Sequence, residues 1–146
     1  MTPAIKLSLL ASGVFLLAGM LTGIVKYRRV MQSVDHRAPV YVDIAHRASL
    51  LYSFAALVIA KLLEYSPYST RVQILATAFP LAFFAITIVG YFVFGMLNTT
   101  DNVFQKRNFI TTWYMWALIA GEIGGFAVIL GVLSRRRFWA GSEHRR

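Results

Sequence analysis

Three ionisable side chains open the second apolar stretch of this chain, and their types suit metal binding. In a helix, residues three and four apart are neighbours, so Asp43, His46 and Arg47 share one side. His46 could present one imidazole nitrogen to iron, while Asp43 could accept the N–H of the other nitrogen and fix the tautomer. The structural alternative is an interfacial histidine with satisfied hydrogen bonds beside an Asp43–Arg47 surface pair. Ionisable groups inside a span are costly, so they mark a candidate functional site.

A carboxyl group, Glu122, lies in the middle of the fourth apolar stretch. In that environment it must be either protonated or paired. It could act in a proton relay, contact a cofactor or contact a substrate; alternatively, it is a neutral acid hydrogen-bonded to a neighbouring helix. In the third stretch Pro80, Thr87 and Tyr91 share a face. Tyr91 could donate a hydrogen bond to a substrate oxygen or anchor its helix at the membrane interface.

Several other kinds of site are excluded by the composition. The chain has no cysteine, so disulfides, thiolate catalysis and iron–sulfur clusters are ruled out. Neither His36 nor His144 gives His46 a close-spaced partner, so zinc is not expected. A single histidine is enough to hold a five-coordinate haem with an open position on the iron. The sequence contains no phosphate-binding glycine loop, no dinucleotide fingerprint and no Ser-His-Asp order.

Four long apolar stretches must position these residues. They cover about 7–25, 40–63, 72–97 and 109–133, and each is close to the roughly 20 residues that cross a bilayer as a helix. The chain is 58% hydrophobic and only 14% charged, whereas soluble domains are about 25% charged. These features predict an all-α, integral membrane bundle of four transmembrane helices that forms one domain over residues 1–146.

The net charge of +9 comes largely from clusters at the ends of the spans. Such clusters indicate contact with anionic lipid headgroups, so the bilayer is the expected partner and nucleic acid is not. Four spans place both termini on one side. Outside the spans that side carries seven positive residues, namely Lys6, Arg71, Arg135, Arg136, Arg137, Arg145 and Arg146. The other side carries six, namely Lys26, Arg28, Arg29, Arg37, Lys106 and Arg107. The excess predicts cytoplasmic termini, in a bacterial inner membrane.

Small residues recur at four-residue spacing in the first and fourth stretches. They are Gly19 and Gly23 in the first, and Ala117, Gly121 and Gly125 in the fourth. Such stripes let helices approach closely. We expect the first stripe to pack inside the bundle, with a dimer seam as the alternative.

Two short motifs resemble the styrene oxide isomerase family, whose members are small four-helix membrane proteins. Ala45-His46 opens the second helix, and the segment 89–94, Val-Gly-Tyr-Phe-Val-Phe, is similar to that family's aromatic segment in the third. The resemblance implies haem b bound by His46 as axial ligand, in trimers with the haem between subunits. It also implies that ferric iron acts as a Lewis acid and opens an epoxide to an aldehyde.

Besides the histidine, the family has two further catalytic positions, and this chain differs from the family at both of them. Tyr52 stands where the family has its catalytic asparagine, and Phe92 stands where it has its catalytic tyrosine. Tyr91 is one residue away, and adjacent helical residues point about 100° apart. Haem binding is therefore carried over more completely than isomerase activity.

The leading hypothesis is a haem b-binding membrane homo-oligomer with His46 as the metal ligand. Arg47 or Arg37 would pair with the propionates, and Tyr52 or Tyr91 would orient a small hydrophobic substrate. One alternative is a cofactor-free scaffold or accessory subunit that docks partners through its glycine stripes. Another is a proton-coupled carrier centred on Glu122.

Overall fold

The computed structural model describes residues 1–105 and 108–131, which form four long helices. Helix α1 spans Pro3–Gln32, α2 spans Val40–Leu63, α3 spans Thr70–Leu97 and α4 spans Met115–Leu130. A 3₁₀ turn, Val103–Gln105, and a π-helical turn, Ile110–Tyr114, precede α4. The fourth span consists of α4 and part of the π-helical turn before it. All four spans are long and apolar enough to cross a membrane. The predicted all-α bundle of four membrane-spanning helices is confirmed.

Several predicted features lie outside the described residues. They are the end of the fourth span at residue 133, His144 and the positive residues Lys106, Arg107, Arg135, Arg136, Arg137, Arg145 and Arg146.

Helix α2 has its predicted bounds, but α1 extends beyond its apolar core. A basic link was expected after residue 25, whereas α1 continues to Gln32. Lys, Arg, Met and Gln are good helix formers, so nothing in this segment ends the helix. The Thr2 side chain accepts a hydrogen bond from the Ile5 N–H at the start of α1. At the end of α3, Asn98 adopts the left-handed conformation, with φ of 47°.

Helix α2 occupies the centre of the packing. It contacts α1 most extensively and α3 next, while α4 packs mainly on α3. The shared core includes Phe15, Ile59, Leu81, Phe84 and Ile129. The outer faces stay apolar, which suits contact with lipid tails; Leu10, Phe54 and Trp116 are among the largely exposed side chains.

The glycine stripes are used inside the bundle. A Cβ on Gly19 would lie 2.6 Å from Leu50 Cδ2, and one on Gly23 would lie 3.0 Å from His46 Cε1. A Cβ on Gly121 would likewise be too close to the Phe83 ring. The first stripe therefore packs against α2, as expected, and that face is already covered within one chain.

Helix α3 runs through Pro80 without a break. Proline has no N–H to donate, so it leaves the Ala76 carbonyl without its helical partner. A Cβ on Gly125 of α4 would lie 3.2 Å from this carbonyl oxygen and 2.6 Å from Pro80 Cδ. The close approach of α4 to the proline turn therefore requires glycine at position 125.

Candidate functional site

His46 lies in the seam between α1 and α2, where the two glycines of α1 leave room for its ring. Its Nδ1 is 2.8 Å from the Gly19 carbonyl oxygen. A carbonyl can only accept, so Nδ1 carries the proton and Nε2 carries a lone pair. No hydrogen bond reaches Nε2 within the described ranges. A side chain at position 23 would press on the ring, because its Cβ would lie 3.3 Å from Nδ1.

Asp43 does not accept the N–H of His46, in contrast to the prediction made from the spacing of the two residues. Its carboxylate is held instead by two cations, with Lys26 Nζ at 2.5 Å and Arg47 Nη2 at 2.6 Å. Lys26 comes from the end of α1, which the sequence analysis had placed in a loop. The acceptor that orients His46 is therefore the Gly19 backbone, and Asp43 cross-links α1 to α2.

Glu122 of α4 receives hydroxyl donors from two other helices. Its Oε1 lies 3.3 Å from the Tyr52 hydroxyl of α2 and 3.4 Å from the Thr87 hydroxyl of α3. Strong O–H···O bonds are about 2.7–2.8 Å long, so both contacts are loose. In the part of the chain that the structure describes, Glu122 forms no ion pair and its second oxygen has no hydrogen bond.

These groups surround a cavity of about 210 Å³ between α2, α3 and α4. Its polar lining is Tyr41, Tyr52, Thr87, Tyr91 and Glu122, and the remainder is apolar. The segment after α3 adds Val103 and Phe104 at the end of the cavity near the start of α2.

Stacked rings hold the aromatic walls of the cavity in place. Tyr41 stacks on Tyr91 with ring centroids 5.9 Å apart and planes at 16°, and Tyr52 stacks on Phe84 at 4.1 Å and 9°. The Tyr41 hydroxyl also accepts the Val103 N–H at 2.7 Å, which ties the segment after α3 to α2. The walls are therefore built from fixed tyrosine rings.

The candidate residues separate into two centres. Tyr52 and Tyr91 line the cavity together with Glu122, whereas His46 does not line it. Six residues separate His46 from Tyr52, which is a rotation of about 120° around α2. Within one chain the structure therefore does not bring these tyrosines together with His46, and the expectation that they orient a substrate there stays a prediction.

Two contributors were missed by the sequence analysis. The Gly19 carbonyl was invisible because a backbone acceptor leaves no residue-type signal. Tyr41 is near the start of α2, where a tyrosine also suits an interface anchor. Its eleven-residue spacing from Tyr52 could have placed both on one face, because eleven residues make close to three helical turns.

Comparison with protein-family models, with curated proteins and with solved structures finds no match to this chain. The two centres are therefore interpreted from their own chemistry.

Proposed function

We propose that this chain is a haem b-binding integral membrane protein in which His46 is the axial ligand. The observation that carries the proposal is the 2.8 Å contact between His46 Nδ1 and the Gly19 carbonyl. Histidines that bind metals commonly donate their other N–H to such an acceptor, which fixes the tautomer and raises the basicity of the ligating nitrogen. The lone pair of Nε2 is then available to iron.

The charges around His46 fit the two propionates of a haem. Lys26 and Arg47 flank this seam and share the Asp43 carboxylate. The Arg47 side chain is 66% exposed, so it has donors to spare for a propionate. Arg37, exposed in the link before α2, is a further candidate. When bound, haem would supply an iron with an open position that polarises the oxygen of a small hydrophobic substrate.

Epoxide isomerisation and trimer formation are further proposals that rest on the family resemblance. In one chain Tyr52 and Tyr91 line a cavity with Glu122 and apart from His46, so the haem proposal is argued without either residue. Adding an aryl epoxide to the haem-loaded protein and measuring aldehyde release would test isomerisation separately.

The scaffold alternative would use Gly121 and Gly125, which line an open groove between α3 and α4, whereas Gly19 and Gly23 pack against α2 within one chain. One specific observation favours the carrier alternative: a carboxyl group lies beside a cavity between three helices. A Glu122→Gln variant with unchanged transport would remove it.

An absorption spectrum of the detergent-purified protein after haem supplementation tests the proposal. We expect a stoichiometric Soret band in the wild type and its loss in His46→Ala. His36→Ala is the matched control, because His36 is exposed in the link between α1 and α2. Adding imidazole to His46→Gly should restore the band if the lost group is an axial ligand. Full haem content with an unchanged spectrum in His46→Ala would contradict the proposal.

A further inference from the structure

Among the described residues, Glu122 has neither the ion pair nor the short hydrogen bonds that stabilise an ionised carboxyl group in an apolar environment. Two loose hydroxyl contacts reach Oε1, and within residues 1–105 and 108–131 no cation reaches either oxygen. A carboxylate in apolar surroundings is stable only when it is paired and hydrogen-bonded. With the partners that the described residues offer, Glu122 therefore either stays protonated or takes its positive partner from a ligand.

Aromatic rings make up the adjacent walls. Tyr41, Tyr52, Tyr91 and Phe94 all line the same cavity as Glu122. The face of an aromatic ring carries partial negative charge and attracts cations, including quaternary ammonium groups. Tyr41 and Tyr91 are nearly parallel, which leaves their stacked pair as a rigid wall. The carboxyl group and the aromatic lining of the cavity thus favour the same kind of ligand.

The size of the cavity limits that ligand to about one ring. Its volume is about 210 Å³, and a cavity of about 150 Å³ is enough to bind benzene. Tyr41 and Tyr52, at positions about 16 Å apart along α2, both line this space. A single ring with a short charged substituent matches the volume of the cavity.

We propose that the cavity between α2, α3 and α4 binds a monocyclic organic ammonium ion, with the cation beside Glu122 and the ring between the tyrosines. This site is separate from His46, and the inference stands whether or not haem binds there.

Two probes of nearly equal shape test the role of charge. Trimethylphenylammonium carries a permanent positive charge, and tert-butylbenzene is its neutral counterpart. Calorimetric titration into detergent-purified protein, with empty micelles as the blank, should show at least about tenfold tighter binding of the cation, because its charge is attracted to the carboxylate and to the aromatic rings. Equal affinity for the two probes, or no binding of either, would overturn the proposal.

Two variants test whether the probes bind in this cavity. Glu122→Gln should remove the preference for the cation, and Glu64→Gln is the control because Glu64 is exposed and pairs with Lys61. Gly90→Leu should block both probes by filling the cavity, since Gly90 lines it and a Cβ there meets nothing within 4 Å.

The outcomes also separate this inference from the haem proposal. His46→Ala should bind the cation as the wild type does. Unchanged cation preference in Glu122→Gln, or unchanged binding in Gly90→Leu, would contradict the cavity site and leave the haem experiment unaffected.

Discussion

Replacing Gly23 by alanine should destabilise the protein, whereas the same replacement at Gly13 should not. Both glycines lie inside α1, so both substitutions gain about 0.5–1 kcal/mol of helix propensity. At Gly13 a new Cβ meets nothing within 4 Å. At Gly23 it would lie 3.0 Å from His46 Cε1 and 3.3 Å from Nδ1. The two variants thus differ only in what the added methyl group contacts.

The difference in free energy of unfolding follows from these contacts. The His46 ring or α1 must shift by a few tenths of an ångström, because the methyl group lies inside normal contact distance. Overpacking of this kind costs about 1–3 kcal/mol. The shift also lengthens the bond to the Gly19 carbonyl, which contributes about 0.5–1.5 kcal/mol. The two costs together lead us to expect Gly23→Ala to be less stable than Gly13→Ala by about 1.5–4.5 kcal/mol.

Thermal unfolding in detergent, followed by circular dichroism on haem-free protein, measures this difference. Gly13→Ala should match or exceed the wild type, and Gly23→Ala should unfold first. Equal stability of the two variants would refute the close packing of His46 against Gly23. It would also remove the basis for assigning the proton to Nδ1, because the contact with Gly19 depends on the same ring position.

Two further predictions concern α4 and the cavity. Gly125→Ala should cost about 1–3 kcal/mol, because its Cβ would lie 2.6 Å from Pro80 Cδ. Gly124→Ala, which meets nothing within 4 Å, should not; equal thermal stability of the pair would contradict the close approach of α4 to α3. Tyr41→Phe should cost about 0.5–1.5 kcal/mol, because the Val103 N–H loses its acceptor. Faster hydrogen exchange at Val103 would report that loss, and unchanged exchange would argue against the bond.

The sequence predicted the helices well because their signal is strong and local. Apolar runs of membrane-spanning length must form helices, since lipid offers no hydrogen-bond partner for the backbone. The bounds of α2 were correct for this reason. The end of α1 was misplaced because its last residues, up to Gln32, are polar yet still helix-forming, and hydropathy alone does not detect such a continuation.

The candidate site was predicted less completely because it depends on contacts between helices. Tyr52 and Tyr91 were selected for a haem substrate, yet helical spacing alone could not reveal that both line one cavity with Glu122. Likewise, the spacing of Asp43 and His46 suggested contact between them. One of the two competing cations, Lys26, comes from a segment that had been predicted to lie outside the first span.

Helix α2 connects the two centres, since its two faces carry different polar groups. It is the least apolar of the four spans, and several of its polar atoms are already satisfied by backbone carbonyls. Ser49 bonds to the Ala45 carbonyl at 2.7 Å, and Ser53 bonds to the Leu50 carbonyl at 3.0 Å. These hydrogen bonds stabilise the helix, but they leave the serine hydroxyls no free hydrogen to donate to a ligand.

His46 and Glu122 differ from these serines. Among the described residues, no hydrogen bond reaches His46 Nε2 or Glu122 Oε2, and the two side chains belong to separate centres. Ionisable groups inside a span are costly, so each marks a candidate functional site. Helix α2 contributes His46 to the first centre and Tyr52 to the second, whereas the carboxyl group of the second centre belongs to α4, so the iron site and the organic-cation site that we propose have only α2 in common.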